Sequence, residues 1–492
     1  MDRRMARPPN ILFLWTDEQR ADTLSAYGNR FGVTPCLDRF AAEATVFEQA
    51  YCTAPVCTPS RGSVMTGQFP LHHGAVTNNV PLHADARCLP ALLPEHEAAY
   101  IGKWHLGDEI FSQHGFSTWV STEDMYLPHY GPGRDRAQRS DYHHWLIARG
   151  RQPDPRNNVF GRAIVTALPE HLSKPRFQAD RAVEFLRARA DAKQPWLLSV
   201  NTLEPHMPFT GPRDNQYDPR DLPLSPNALI PPDASCLLRT RIKHALQTRK
   251  GQAGCHPNDE GSVRETMARY WGLASQVDHY FGRILNALRE SGQWDDTLIV
   301  FTSDHGDQMG SHALIAKGVF FEESTRVPLL IKTVGQRAGR RVAGPVSQVD
   351  LAATLCDLAG APAPTTDGAS LCPALECGVA PERDVLLVWH RHGGEDNGER
   401  ISTGDDYLAS LGTPEQCDRA LRGELRGLVA PDRWKVLFSD AGECELYDLN
   451  DDPWELRNRA NDPAARARRN DLALRLRRKL AALGDPFPLP KT

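Results

Sequence analysis

Four short apolar runs set the limits on how this chain can fold: Ile11–Trp15, Ala98–Ile101, Trp196–Val200 and Thr297–Thr302. Runs of this length flanked by turn residues fit strands buried on both faces. Helical patterns lie between them. Gln178–Ala190 carries apolar Ala182, Val183, Phe185 and Leu186. Arg264–Leu288 sets Met267, Tyr270, Trp271, Ala274, Val277, Phe281, Ile284, Leu285 and Leu288 on one helical face. Strands alternating with helices predict an α/β fold with helices on both sides of a sheet. Ligands in such sheets bind beyond the carboxyl ends of the strands. Asp17 with Glu18, Lys103 with His105, His206, and Asp304 with His305 each follow one of the runs. These groups are therefore expected to converge although hundreds of residues separate them.

Two stretches interrupt the pattern, at about 127–175 and 210–261. They are rich in Pro and charge and read as surface insertions that wall a substrate pocket. A helix-like segment at Gln348–Leu358 precedes Gly360–Gly368, whose Pro, Ala and Thr read as a linker. Val385–His390, Arg433–Phe438 and Glu445–Leu449 then predict antiparallel strands, with Ser439 to Glu443 as a hairpin turn and Asp462 to Leu483 as a basic terminal helix. The division expected is a catalytic unit over residues 8–368 and a smaller unit over 369–492.

The 492 residues suffice for two or three domains. Charged residues are 24% and the net charge is −5, which gives no support to a nucleic-acid-binding surface. The eleven cysteines are scattered without CxxC or zinc spacing, so they support neither a disulfide framework nor a zinc site. No run approaches the ~18 apolar residues of a membrane span. The basic start Met1–Pro9 leads into a run too short for a signal peptide, so a cytoplasmic location is expected.

Cys57-Thr58-Pro59-Ser60-Arg61 has the form of a helix start: Thr58 as N-cap, Pro59 at the first helical position, Gly67 as the stop. Residue 57 would then face the anion-favouring end of a helix, and Arg61, one turn in, reaches back toward it or a bound oxyanion. Asp17, Glu18 and Asp304 with residue 57 make a hard, oxygen-rich set suited to Ca²⁺ or Mg²⁺. His305 adds a nitrogen ligand, which admits Mn²⁺, or a donor to the substrate. On an extended segment Lys103 and His105 share a face and can hold an oxyanion and manage a proton. His206 lies between Pro205 and Pro208; Lys317 follows Asp304 by thirteen residues. Each of these groups taken singly is equally read as a cap, a turn or a solvated loop.

In conjunction they resemble one family. A cysteine with Pro at +2 and Arg at +4 is the signature at which sulfatases, of the alkaline phosphatase-like superfamily, convert cysteine to formylglycine. Asp17-Glu18 resembles that family's paired acidic metal ligands. Gly102-Lys103-Trp104-His105-Leu106-Gly107 resembles its second signature, in the form that leans toward aryl and carbohydrate sulfatases. Pro205-His206-Met207-Pro208 is similar to its Pro-His-x-Pro element, and Thr302–Asp307 with Lys317-Gly318 to its late metal-and-lysine block. Glu445–Pro453 resembles its C-terminal hairpin.

The resemblance implies a large, mixed, mostly parallel sheet flanked by helices, with a smaller C-terminal antiparallel sheet. It implies a sulfatase acting on a small-molecule or carbohydrate sulfate ester, with Cys57 converted by a formylglycine-generating enzyme. One divalent ion, expected to be Ca²⁺ with Mn²⁺ or Mg²⁺ as alternatives, would be held by Asp17, Glu18, residue 57, Asp304 and His305. Lys103 and Lys317 would neutralise developing charge, and His206, alone or with Lys317, would protonate the leaving alcohol. His105 would take the proton of the second hydroxyl of the hydrated aldehyde. Glu18 stands where many members have Asp, and Asp304-His305 where others have Asp-Asn, a variant shared with phosphonate and phosphate ester hydrolases. Such a hydrolase is the first alternative. A non-catalytic binding protein that keeps Cys57 as a thiol is the second.

Overall fold

The computed structural model describes residues 7–390, 395–396, 399–400 and 406–489; most of the basic start, residues 1–6, lies outside this. Nine strands form the main sheet: β1 (Asn10–Asp17), β2 (Thr45–Tyr51), β3 (Glu97–Gly102), β4 (Thr118–Ser121), β5 (Trp196–Pro205), β6 (Thr297–Ser303), β7 (Arg326–Val327), β8 (Leu329–Lys332) and β9 (Arg340–Ser347). Their order is β4-β3-β5-β1-β6-β8-β2-β7, with β9 beside β2. The pairings β1 with β5 and β6, β3 with β4 and β5, and β2 with β9 are parallel. Strands β7 and β8 run antiparallel to their neighbours, which makes the sheet mixed, as expected.

Successive residues of a strand point to opposite faces. In β1, Ile11, Phe13 and Trp15 enter one core, while Leu12 and Leu14 enter the other. Both faces are covered, which is why the four runs lack polar alternation. The predicted helices are Lys174–Ala188 and Glu260–Glu290, packed together on the second face, and Asp350–Leu358 on the first.

The C-terminal sheet has four antiparallel strands. The three expected strands are Val385–Trp389, Trp434–Ser439 and Cys444–Asp448; Leu425–Val429, which the sequence reading lacked, pairs between the first two. Ser439 N–H donates to Glu443 O at 3.1 Å across the expected turn. The terminal helix is Arg466–Ala482.

Neither insertion is a bare surface loop. Within 127–175, Tyr142, Leu146, Phe160, Val165 and Leu172 build a small core with Phe177. Within 210–261, the helix Leu238–Lys250 buries Leu238, Ile242 and Leu246 against Cys417, Ala420 and Leu421. The charge of that helix hid its apolar face.

Candidate active site

The carboxyl ends of β1, β3, β5 and β6 meet at one rim, as the topology requires. β1 ends at Asp17, and Glu18 follows in the left-handed region at φ 67°. That turn sends the two adjacent carboxylates into neighbouring compartments. At the end of β3, Gly102 has φ 123°, and a Cβ there would stand 1.8 Å from Asn201 O. Only glycine admits this approach of β3 to β5, and Lys103 follows directly.

Cys57 opens a fully buried helix, Cys57–Thr66, closed by Gly67 at φ 69°. The expected cap is different in the structure. Val56 occupies the N-cap position without a side-chain bond. Thr58 Oγ1 instead donates to His105 O at 2.9 Å, and Thr58 N–H donates to Asn78 Oδ1 at 3.1 Å. The threonine thus joins the helix start to the Lys103 segment.

Asp17, Cys57, Asp304 and His305 each offer one ligand atom, all within 4.8 Å of one another and all buried. His305 Nε2 lies 3.2 Å from Cys57 Sγ and 3.6 Å from Asp304 Oδ1. Its Nδ1 faces Gly306 O at 2.9 Å. A carbonyl only accepts, so Nδ1 carries a proton and Nε2 is the ring nitrogen turned to the centre. The donor set fits a divalent cation: two carboxylates, one imidazole nitrogen and the atom of residue 57 converge. Beside them Glu18 Oε1 and Asp307 Oδ2 are buried without hydrogen-bond partners.

Glu18 sits in the adjoining group with Asp17 and His206, not in the four-atom cluster. Lys317 Nζ donates to Glu18 Oε2 at 2.6 Å, and His206 Nε2 lies 3.3 Å from the same oxygen. Lys317 is held from behind by Leu238–Lys250, through Lys243 Nζ on Lys317 O and Gln247 on Ile315.

Arg61 does not point to a bound oxyanion. Its guanidinium donates to Asp304 Oδ2, Asp17 Oδ2, Lys103 O and Asn201 Oδ1, at 2.8–2.9 Å. It fixes the two carboxylates and the ends of β3 and β5 relative to one another. Lys103 Nζ is ion-paired with Asp17. Lys103 and His105 are not on an extended segment: His105 has φ 58°, and Glu109 accepts the N–H groups of Trp104 and His105 at 2.7 Å each. This tight turn separates their side chains. The His105 ring bonds Asn79 Oδ1 at 3.0 Å and packs on Tyr126, with centroids 4.4 Å apart. It is His305 that adjoins residue 57.

Burial works to raise the pKa of Asp17, but Lys103, His206 and Arg61 outweigh it and hold Asp17 well below the usual carboxylate range. Burial pushes Glu18 well up despite Lys317. Burial, aided by Asp17, pushes the Cys57 thiol up, so an unmodified Cys57 is a protonated, poor nucleophile. Burial and the nearby Lys317 hold His206 well down, and burial with Lys103 does the same for His105. Lys103 and Lys317 stay charged because Asp17, and residue 57 with Glu18, offset the penalty of burial.

Sequence reasoning missed Asn78, Asn201, Glu109 and Arg162; it held Asp307 only within the Thr302–Asp307 block and Tyr126 only within a pocket-lining stretch from Thr122 to Tyr130. Glu109, two residues past Gly107, was legible as a capping carboxylate for the turn. The others carry no spacing signal.

A profile of the sulfatase family matches residues 9–361. The multifunctional alkaline phosphatase superfamily protein PehA of Trinickia caryophylli is 30% identical, over 94% of this chain and 93% of its own. An arylsulfatase of Clostridium perfringens is 28% identical, over 92% of this chain and 90% of its own. The phosphonate monoester hydrolase of Agrobacterium radiobacter, a solved structure, has a TM-score of 0.74 at 26% identity and covers 96% of each chain. The profile spans most of the chain and takes in every residue of the centre just described: the chain belongs to the sulfatase family and is one of its enzymes.

Proposed function

We propose that the enzyme hydrolyses aryl or carbohydrate sulfate esters at the rim where Asp17, Cys57, Asp304 and His305 meet. The observation that carries this is the convergence of their four ligand atoms within 4.8 Å, ringed by the cations Lys103 and Lys317. Family membership implies a metal ion and a formylglycine at position 57. A divalent ion, Ca²⁺ by the hard oxygen set, supplies a positive centre for the ester's anionic oxygens. Formylglycine supplies, as its hydrate, a hydroxyl nucleophile where the buried thiol supplies none.

The chain's own residues do the rest. Arg61 locks the two carboxylates in place, so the centre is organised before substrate arrives. Lys103 and Lys317 neutralise charge on the ester oxygens. His206, with Nδ1 donating to Met207 O at 2.6 Å, turns a bare Nε2 to the Glu18 and Lys317 side; Lys317, which keeps its proton, supplies the one that passes there to the leaving alcohol, directly or through Nε2. His305 Nε2, beside residue 57, would join Asp17 and Asp304 in holding the ion. A cytoplasmic location stays with this reading.

The second reading is a phosphonate or phosphate ester hydrolase. It is favoured by His305 and by the likeness to the Agrobacterium radiobacter enzyme. Rates on p-nitrophenyl sulfate and on p-nitrophenyl phenylphosphonate, measured side by side on modified protein, separate the two. The sulfate ester is expected to lead in kcat/KM. A lead for the phosphonate by orders of magnitude would overturn the first reading.

A further inference from the structure

Arg162 opens the short helix Arg162–Thr166 in the first insertion, and about four-fifths of its side chain is buried, with 20% exposed. Its nearest carboxylate, Glu123, is already paired with Lys174. Arg162 Nε stands 3.9 Å from Glu123 Oε2, beyond hydrogen-bond length, and both atoms are buried without a hydrogen-bond partner. Glu204, buried in the same layer, has its pKa raised by burial, against the pull of Lys174 and Arg162.

The guanidinium is also aimed. Nη2 donates to Tyr126 OH at 3.2 Å, and the Tyr126 ring lies on His105 with Lys103 Nζ 5.9 Å from its centroid. The charge of Arg162 acts on Asp17 and Cys57 and on His105 and His206. It therefore stands at the rim of the centre, one side chain away from Lys103. Arg61, Lys103 and Lys317 are committed to Asp17, Asp304 and Glu18. Arg162 only shares Glu123 with Lys174, at 3.9 Å and without a hydrogen bond, and its planar fork suits a planar or tetrahedral oxyanion.

We propose that Arg162, steadied by Tyr126, binds a second anionic group on the alcohol part of the ester, a carboxylate or a second sulfate. The substrate class is then a doubly anionic sugar sulfate. This rests on the sulfate ester reading above.

The test compares wild type, Arg162→Ala and Arg162→Lys on two matched pairs. Glucose 6-sulfate against glucosamine N,6-disulfate probes a second sulfate. Glucose 2-sulfate against glucuronate 2-sulfate probes a carboxylate. Wild type is expected to favour the doubly charged member of one pair in kcat/KM. Arg162→Ala is expected to lower that preference roughly tenfold to a hundredfold, the range for one charge-assisted hydrogen-bonded contact. The loss falls mainly in KM, Arg162→Lys recovers part of it, and the singly charged sugar sulfates change by less than about threefold. No preference in wild type, or an equal loss on both members of a pair, overturns the proposal. If Arg162→Ala melts early, Arg162→Lys decides by the same ratio. If wild type turns over no sulfate ester, the sulfatase reading fails on its own. The ratio is then read on phosphonate monoesters with the same charged and neutral alcohols, where its absence still overturns the role of Arg162.

Discussion

Arg61 Nε donates to Asp304 Oδ2 at 2.9 Å, with both side chains fully closed to solvent. The same guanidinium reaches Asp17 at 2.8 Å. One cation thus holds two carboxylates that arrive on strands some three hundred residues apart in sequence. Removing one partner of a buried pair leaves charge without compensation, at about 3–5 kcal/mol. Arg61→Ala is expected to lose that much in equilibrium unfolding and to lose turnover with it. Unchanged stability would show that the carboxylates do not need the guanidinium.

Asp17, Asp304 and His305 would be the chain's donors to the expected ion. Chelation should abolish sulfate ester hydrolysis, and a divalent ion should restore it. Asp304→Asn should lower bound metal in elemental analysis by about tenfold or more. Full metal content in that variant would place the ion elsewhere.

His206 Nε2, beside Glu18 and Lys317, is proposed to pass a proton from that pair to the leaving alcohol. A general acid matters most when the leaving alcohol is a poor one. His206→Gln should lower kcat/KM on alkyl or sugar sulfates by about 10²–10⁴-fold, and far less on p-nitrophenyl sulfate. Equal losses on both would remove His206 from that role.

His73 carries a pH dependence of stability separate from the site chemistry. It is 1% exposed; Nε2 donates to Pro59 O at 3.1 Å, and Nδ1 accepts Ala75 N–H at 3.2 Å. Burial pushes its pKa down to about 3. The unfolded chain binds this proton below about 6.5 and the folded chain does not. The stability His73 contributes is therefore complete above that value and is lost as pH falls toward 3, by roughly 1.4 kcal/mol per unit within the window. Melting temperatures from pH 7 to 5 should fall less steeply for His73→Gln than for wild type. Parallel slopes would contradict the shift.

The parts of the fold legible in the sequence were those where one physical signal dominates. β1, β3, β5 and β6 are buried on both faces, so their apolar runs stand out. β2 holds Glu48 and Gln49, and β9 begins with Arg340 and Arg341; their pairing comes from tertiary contacts that leave no local pattern. Leu425–Val429 hid behind Arg426, whose charge is met by Asp485, fifty-nine residues on. In the site, residue types and chain order indicated what would converge. They did not show which side chain serves which. Arg61 reads as an anion binder until Asp17 and Asp304 are seen to occupy it. Glu18 reads as a partner of Asp17 until its left-handed backbone turns it toward Lys317.

The chemistry assigned to residue 57 is tested by peptide mass and turnover on the same preparations. Conversion of cysteine to formylglycine removes about 18 Da from the peptide that contains it. Across preparations with different extents of conversion, sulfate ester hydrolysis should rise in proportion to the converted fraction and vanish in Cys57→Ala. Undiminished hydrolysis by protein whose residue 57 is wholly unconverted cysteine would contradict it.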